Sequence, residues 1–266
     1  MTKTTFALLG LLTLAATIPA RADDGGITFG GSPRLLSGHQ TVAMESEVVT
    51  MDIGENAVTT HCRFVFKNHG PACTVRMGFP DRARGANVIE DETGKAMAPH
   101  GTFQSFTSKV DGKPVKTEVL KDAKTPSDVW HAKTVAFGAN QTHIVEDDYK
   151  TDIGGQMTDY GSAVHQAYYV LHTGSSWRGN IGRAEVIVRF HRKTMPGPLK
   201  ALDMRKISGN ADGIIKLYPY GQNAVAWSGP STPTVSGTTL RFVRTNFNPQ
   251  YSDDVILHFG DTKIKN

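Results

Sequence analysis

The chain has 266 residues, a formal net charge of +4 and a sequence pI near 9, with 39% apolar residues, 20% charged residues, 27 Gly, 13 Pro and 2 Cys. That balance excludes bulk disorder, a collagen-like repeat and a disulfide-dense miniprotein. The length is enough to bury a core without staples, as one large all-β domain or two smaller ones.

Residues 1–22 read as a secretory signal peptide. Lys3 supplies the positive start, Phe6 to Ile18 is a 13-residue run without charge, and Ala20-Arg21-Ala22 gives the small-x-small cleavage pattern. The run is too short to cross a bilayer of ~30 Å, which needs about 20 residues. The mature chain is therefore expected to start at Asp23 and to be soluble, without a transmembrane segment, in the periplasm or outside the cell. Losing Lys3 and Arg21 leaves 27 basic against 25 acidic residues, a net +2. Global charge then gives no reason to expect a nucleic-acid partner.

Strands and turns fill the rest. Thr41 to Ile53 is rich in Val and Met and ends at the turn signal Gly54-Glu55-Asn56. In Val58 to Lys67 the residues Val58, Thr60, Cys62, Phe64 and Phe66 share one face, and His61, Arg63 and Lys67 the other, the period of a half-buried strand. Asn68-His69-Gly70-Pro71 is a turn, and Cys73, Val75, Met77 and Phe79 form the inward face of the strand after it. The two strands read as a hairpin. Asp111-Gly112 between alternating runs at 102–110 and 115–120 marks a second hairpin. Thr125-Pro126-Ser127-Asp128 fits one capped helical turn. Further strands are expected at 129–137, 141–149, 163–172, 184–192, 214–218, 224–228, 238–244 and 255–259.

No window holds a helical period over three turns, and no helices alternate with strands to build a parallel sheet. The reading is an all-β, antiparallel β-sandwich with little helix. Met195-Pro196-Gly197-Pro198 is the best boundary, dividing a sandwich at 23–196 from a C-terminal β meander at 197–266 that packs on it or completes it.

Few residues point to chemistry. Cys62 and Cys73 form an even pair, which an oxidising compartment favours as a disulfide. A tight turn at 68–71 would instead put Cys62 opposite Met77, and four residues of offset is roughly 13 Å, beyond the ~7 Å that a disulfide allows between Cα atoms. The ten histidines show no metal-ligand spacing, so no metal or cofactor is expected. Glu146-Asp147-Asp148, with Asp152 and Asp159, lacks the spacing of a calcium loop and reads as a charged strand end. Arg178 to Lys206 holds eight Arg/Lys against two acids and reads as a solvated face or an anion patch. No nucleophile elbow, phosphate loop or dinucleotide fingerprint is present in the sequence. The most distinctive segment is Thr173-Gly174-Ser175-Ser176-Trp177-Arg178-Gly179-Asn180-Ile181-Gly182, where a loop Trp sits among glycines. It serves either as a cap on the core or as a sugar- or partner-binding platform. Trp227-Ser228-Gly229-Pro230 is read the same way. Trp177, Arg178 and Trp227 are the candidate binding residues, and no catalytic residue is singled out.

Val42 to Val48, Phe64-Val65-Phe66-Lys67-Asn68-His69-Gly70, Met77-Gly78-Phe79-Pro80, the Thr-Gly-x-x-Trp-x-Gly-x-Ile loop and Asn246-Phe247-Asn248-Pro249 follow in an order that resembles a family of uncharacterised secreted bacterial proteins. The order is more distantly similar to the N-terminal β-sandwich of inter-α-trypsin-inhibitor heavy chains. The resemblance covers most of residues 40–260 and implies an exported antiparallel sandwich, without catalytic residues. The functional expectation is an exported cell-envelope protein that binds or scaffolds an envelope protein or glycan. The alternative is an exported hydrolase acting on a polysaccharide or envelope polymer.

Overall fold

The computed structural model describes residues 27–38, 40–84, 103–121, 128–157, 162–207 and 215–263. The leader-like residues 1–22 and the Pro126 turn lie outside them. Eighteen strands occur among the described residues. The first nine are β1 (Ile27–Gly31), β2 (Arg34–Gly38), β3 (Val42–Ile53), β4 (Ala57–Asn68), β5 (Cys73–Arg84), β6 (Ser105–Val110), β7 (Lys113–Pro114), β8 (Glu118–Lys121) and β9 (Asp128–Phe137). The others are β10 (Thr142–Asp152), β11 (Gly154–Met157), β12 (Ser162–Val170), β13 (Ile181–Phe190), β14 (Lys200–Asp203), β15 (Ala224–Ser228), β16 (Thr234–Ser236), β17 (Thr239–Phe247) and β18 (Val255–Lys263). The only helical elements among the described residues are short 3-10 turns, including His172–Ser176 and Tyr251–Asp253. Among the described residues no helix is long and apolar enough to cross a membrane.

The strands form two sheets. One runs β14-β15-β18-β12-β1-β5-β9-β8, with β11 beside β12 and β2 beside β5; the other runs β16-β17-β13-β3-β4-β10-β6-β7. The all-β expectation holds, but the sheets are mixed. Three neighbouring pairs are parallel: β1 with β12, β3 with β13, and β14 with β15. The C-terminal segment feeds both sheets, since β17 pairs with β13 and β18 with β12.

Period-two patterning explains the packing. Val49, Met51, Ile53, Phe64, Phe66, Val186 and Val188 from one sheet meet Val75, Met77, Phe79, Phe137, Tyr169, Leu257 and Phe259 from the other in one buried cluster. Each fully buried side chain of this kind contributes about 1.5–3 kcal/mol. Gly30 allows unusually close approach: a Cβ there would sit 2.7 Å from Phe79 and 2.8 Å from Tyr149.

Three expectations change. The 58–67 and 73–79 strands do not form a hairpin. β4 pairs with β3 and β10, whereas β5 pairs with β1, β2 and β9, so the turn at 68–71 carries the chain between sheets. The 111–112 turn does close a hairpin, with both residues at positive φ (50° and 74°), but only β6 and β7 join it; β8 belongs to the opposite sheet. Of the strand expected at 214–218, residue 214 lies outside the described residues, Ile215 makes only a single bridge, and Tyr218 opens a 3-10 turn, Tyr218–Tyr220, that holds Pro219.

Candidate functional site at the loop end of the sandwich

The residues first singled out sit in the structural framework. Trp177 is only 4% exposed; its ring lies 4.5 Å from that of Phe66 and its Nε1 donates to the Pro33 carbonyl at 2.7 Å. Trp227 is 5% exposed and meets Phe242 edge-on at 5.9 Å. Neither indole presents a face to solvent, so the platform reading of both is corrected to core packing. A large ring beside an apolar sheet end buries more area than it would expose. Arg178 is exposed, with its guanidinium reaching the His69 carbonyl at 3.5 Å.

The two cysteines are free thiols, and this corrects the disulfide expectation. Cys73 contacts Thr41 Oγ1, and Thr41 in turn bonds Asn68 at the end of β4. Cys62 lies six residues back along β4, roughly 20 Å at strand rise. Burial, with the nearby Asp147 and Glu47 carboxylates, pushes the Cys62 thiol well above its ordinary range.

Asp147 is also corrected. It lies mid-strand in β10, fully buried, rather than at a charged strand end. Its carboxylate takes Lys133 Nζ from β9 at 2.5 and 2.8 Å, an ion pair spanning the two sheets. Glu47 on β3 is a second interior carboxyl. Ser32 Oγ donates to it at 2.7 and 2.9 Å, and the Tyr169 hydroxyl donates at 2.6 Å. Burial outweighs both hydrogen bonds and raises its pKa to about 7. A third interior pair joins His131 to Asp81 at 3.1 Å, with Phe106 stacked 4.1 Å from the imidazole. Glu47 shares strand parity with Val49, Met51 and Ile53, and Asp147 with Val145 and Tyr149. That parity was the sequence signal for interior charge.

Three of the eight basic side chains at 178–206, Arg183, Arg192 and Arg205, are engaged by nearby acceptors. Glu185 holds both Arg183 and Arg241, Asp203 holds Arg205, and the Gly54 and Glu55 carbonyls take Arg192. No group of three or more metal-ligating side chains occurs among the described residues.

A small pocket opens between the sheets beside Val58, Thr151 and Asp152. The hydroxyls of Thr28, Thr60 and Tyr149 line it, and none has a hydrogen-bond partner of normal geometry. Three convergent hydroxyls suit a bound water, which typically makes about three hydrogen bonds. This pocket therefore reads as hydration of the core.

The opposite end of the sandwich carries a more directed arrangement. The loop after β12 and the loop after β17 meet there. Asp254 Oδ1 accepts from the backbone N–H groups of Leu171 and His172 at 2.8 and 3.0 Å, and Oδ2 lies 2.7 Å from His172 Nδ1. A carboxylate so clamped favours the proton on Nδ1, leaving Nε2 as the free ring nitrogen. Tyr251 lies against this imidazole, with ring centroids 3.9 Å apart, while 74% of the residue remains exposed. Asn180, just before β13, donates to Asn246 near the end of β17, adding exposed amides at the same end. The result is a fixed imidazole beside a supported aromatic ring. Sequence reading missed it, because His172 and Asp254 are 82 residues apart and each looked ordinary alone.

No protein-family model matches the chain, and no curated protein matches it. Among solved structures it is similar to a "putative nutrient binding protein" of Legionella pneumophila, with TM-score 0.57 and 19% identity, over 89% of this chain and 71% of that one. It also aligns with an M1 zinc metallopeptidase of Deinococcus radiodurans (TM-score 0.36, 10% identity, 83% of this chain and 43% of that one) and with yeast LTA4 hydrolase (TM-score 0.42, 8% identity, 85% and 30%). The chain spans less than half the length of either enzyme. At these identities the first likeness speaks to the fold alone, and the two enzymes carry no argument.

Proposed function

We propose that this is an exported binding protein that recognises a saccharide at the loop end of its sandwich. The observation that carries the reading is Tyr251, exposed yet held against an imidazole that Asp254 fixes in place. A supported aromatic face suits the C–H face of a sugar ring, and the imidazole beside it suits a ring hydroxyl. The leader-like residues 1–22 support export to the periplasm or beyond. The fold shared with a protein named for nutrient binding is compatible with a binding role. The test is a titration of mature protein with a panel of short oligosaccharides, followed by heteronuclear NMR. The reading expects one or more to shift the His172 and Tyr251 resonances saturably, and expects Tyr251→Ala to abolish the effect. If no saccharide moves those resonances, the reading is wrong.

A second reading, hydrolysis of an envelope polymer, draws on the same Asp254–His172 pair, because an oriented imidazole is the usual general base. It predicts turnover of a polysaccharide that disappears in His172→Gln. Binding without turnover would exclude it.

A further inference from the structure

Glu47 lies behind the loop-end site, and both of its hydrogen-bond partners lead there. Tyr169 sits three residues before His172. Ser32 begins a segment stitched to the end of β12 and the loop after it by four hydrogen bonds. The Ser32 N–H donates to the Val170 carbonyl at 2.7 Å, and Thr173 Oγ1 donates to the Ser32 carbonyl at 2.6 Å. The Trp177 indole donates to the Pro33 carbonyl at 2.7 Å, and the Leu35 N–H donates to Ser176 Oγ at 2.8 Å. The 3-10 turn that presents His172 is thus held from behind by a segment whose first residue, Ser32, bonds the interior Glu47 carboxyl.

We infer that Glu47 is a positioning residue for the His172–Tyr251 site, and that proton uptake by its carboxyl changes the placement of the His172–Ser176 turn. The inference rests on the proposed site and adds its regulation. An ionised carboxylate only accepts, which matches two hydroxyls donating to it. A protonated carboxyl must donate one hydrogen bond. Placed on Oε2, that proton points at Ser32 Oγ, turns the hydroxyl from donor to acceptor and weakens the bond from Tyr169, which is no longer charge-assisted.

The other groups facing Glu47 set when this happens. Cys62 on β4 is a neutral thiol over the working range. Asp147 on β10 carries a negative charge already matched by Lys133 on β9. Tyr169 on β12 and Tyr149 on β10 are held neutral by burial. None supplies a free positive charge to hold Glu47 ionised. Its titration therefore falls near neutrality, where a small change of surroundings flips it.

The experiment follows two signals in the full mature protein across pH 5–9, without ligand. One is the side-chain carboxyl carbon of Glu47; the other is the set of backbone amides of Ser32, Thr173 and Ser176. The inference expects the amides to move with the Glu47 midpoint, near pH 7. In Glu47→Gln that component should vanish. In Thr173→Val, which cuts one link and keeps the carboxyl, Glu47 should still titrate while the amides of the turn follow it less. Amides that stay still through the Glu47 midpoint, or move equally in Glu47→Gln, would overturn the inference. Should Glu47→Gln fail to fold, the wild-type and Thr173→Val comparison decides alone. Because no saccharide enters, failure here is distinct from failure of the ligand assignment.

Discussion

Glu47→Gln isolates the energetic cost of an interior carboxyl. Folding raises the Glu47 pKa from 4.5 to about 7. Below pH 4.5 the group is protonated in both the folded and the unfolded chain, so it costs nothing through ionisation. Above pH 7 the folded protein must hold the carboxylate inside while the unfolded chain leaves it in water. The sign is therefore that stability from this group is present in acid and is lost as pH rises from about 4.5 to 7. At about 1.36 kcal/mol per pKa unit, the loss is about 3 kcal/mol. Glutamine keeps the shape and an accepting oxygen for Tyr169 but cannot ionise. Urea unfolding of both proteins at pH 4.5, 6 and 8 gives the comparison, and other titrating groups cancel in the difference. Relative to the wild type, Glu47→Gln should gain about 3 kcal/mol between pH 4.5 and pH 8. A difference that does not change with pH would refute the reasoning, because Glu47 would then ionise as easily inside the fold as outside.

Further outcomes follow from the same structure. Lys133→Met should destabilise by about 3–5 kcal/mol by leaving the buried Asp147 carboxylate unpaired, and Lys133→Met with Asp147→Leu should recover much of that loss in denaturant titrations. Trp177→Ala should cost about 3–5 kcal/mol, since it removes a buried ring packed on Phe66, whereas a surface platform would cost little. Tyr251→Ala should leave unfolding within about 0.5 kcal/mol of wild type, because the ring is mostly exposed. Thiol titration should find two free cysteines on denaturation, with Cys62 unreactive in the folded protein; a count of zero would restore the disulfide.

The architecture was legible where alternation was clean. In Val58–Lys67 the inward set was correct residue by residue, and Asp111-Gly112 gave a true turn. The partner of each strand was less legible. The turn at 68–71 looks the same whether the chain folds back within a sheet or crosses to the other, and the inward residues of β4 and β5 are the same either way. Parallel pairing of β3 with β13 joins segments more than a hundred residues apart, which no local signal records. The interior charges were half-legible. Glu47, Lys133 and Asp147 fall on the apolar parity of their strands, but a charge within a strand is usually at the surface, and only the cross-sheet partner explains its burial. The Trp177 loop stands out in the sequence because Trp is rare. Its ring turned out to anchor the loop, while the exposed ring at that end came from Tyr251, delivered by a separate loop.

The most direct measurement is NMR titration of the mature protein with the oligosaccharide panel at pH 6 and pH 8, for the wild type and Tyr251→Ala. The account predicts saturable shifts at His172, Tyr251 and Asp254 in the wild type, loss of them in Tyr251→Ala, and an affinity that differs between the two pH values. Shifts centred elsewhere on the sandwich, or unchanged by Tyr251→Ala, would contradict it.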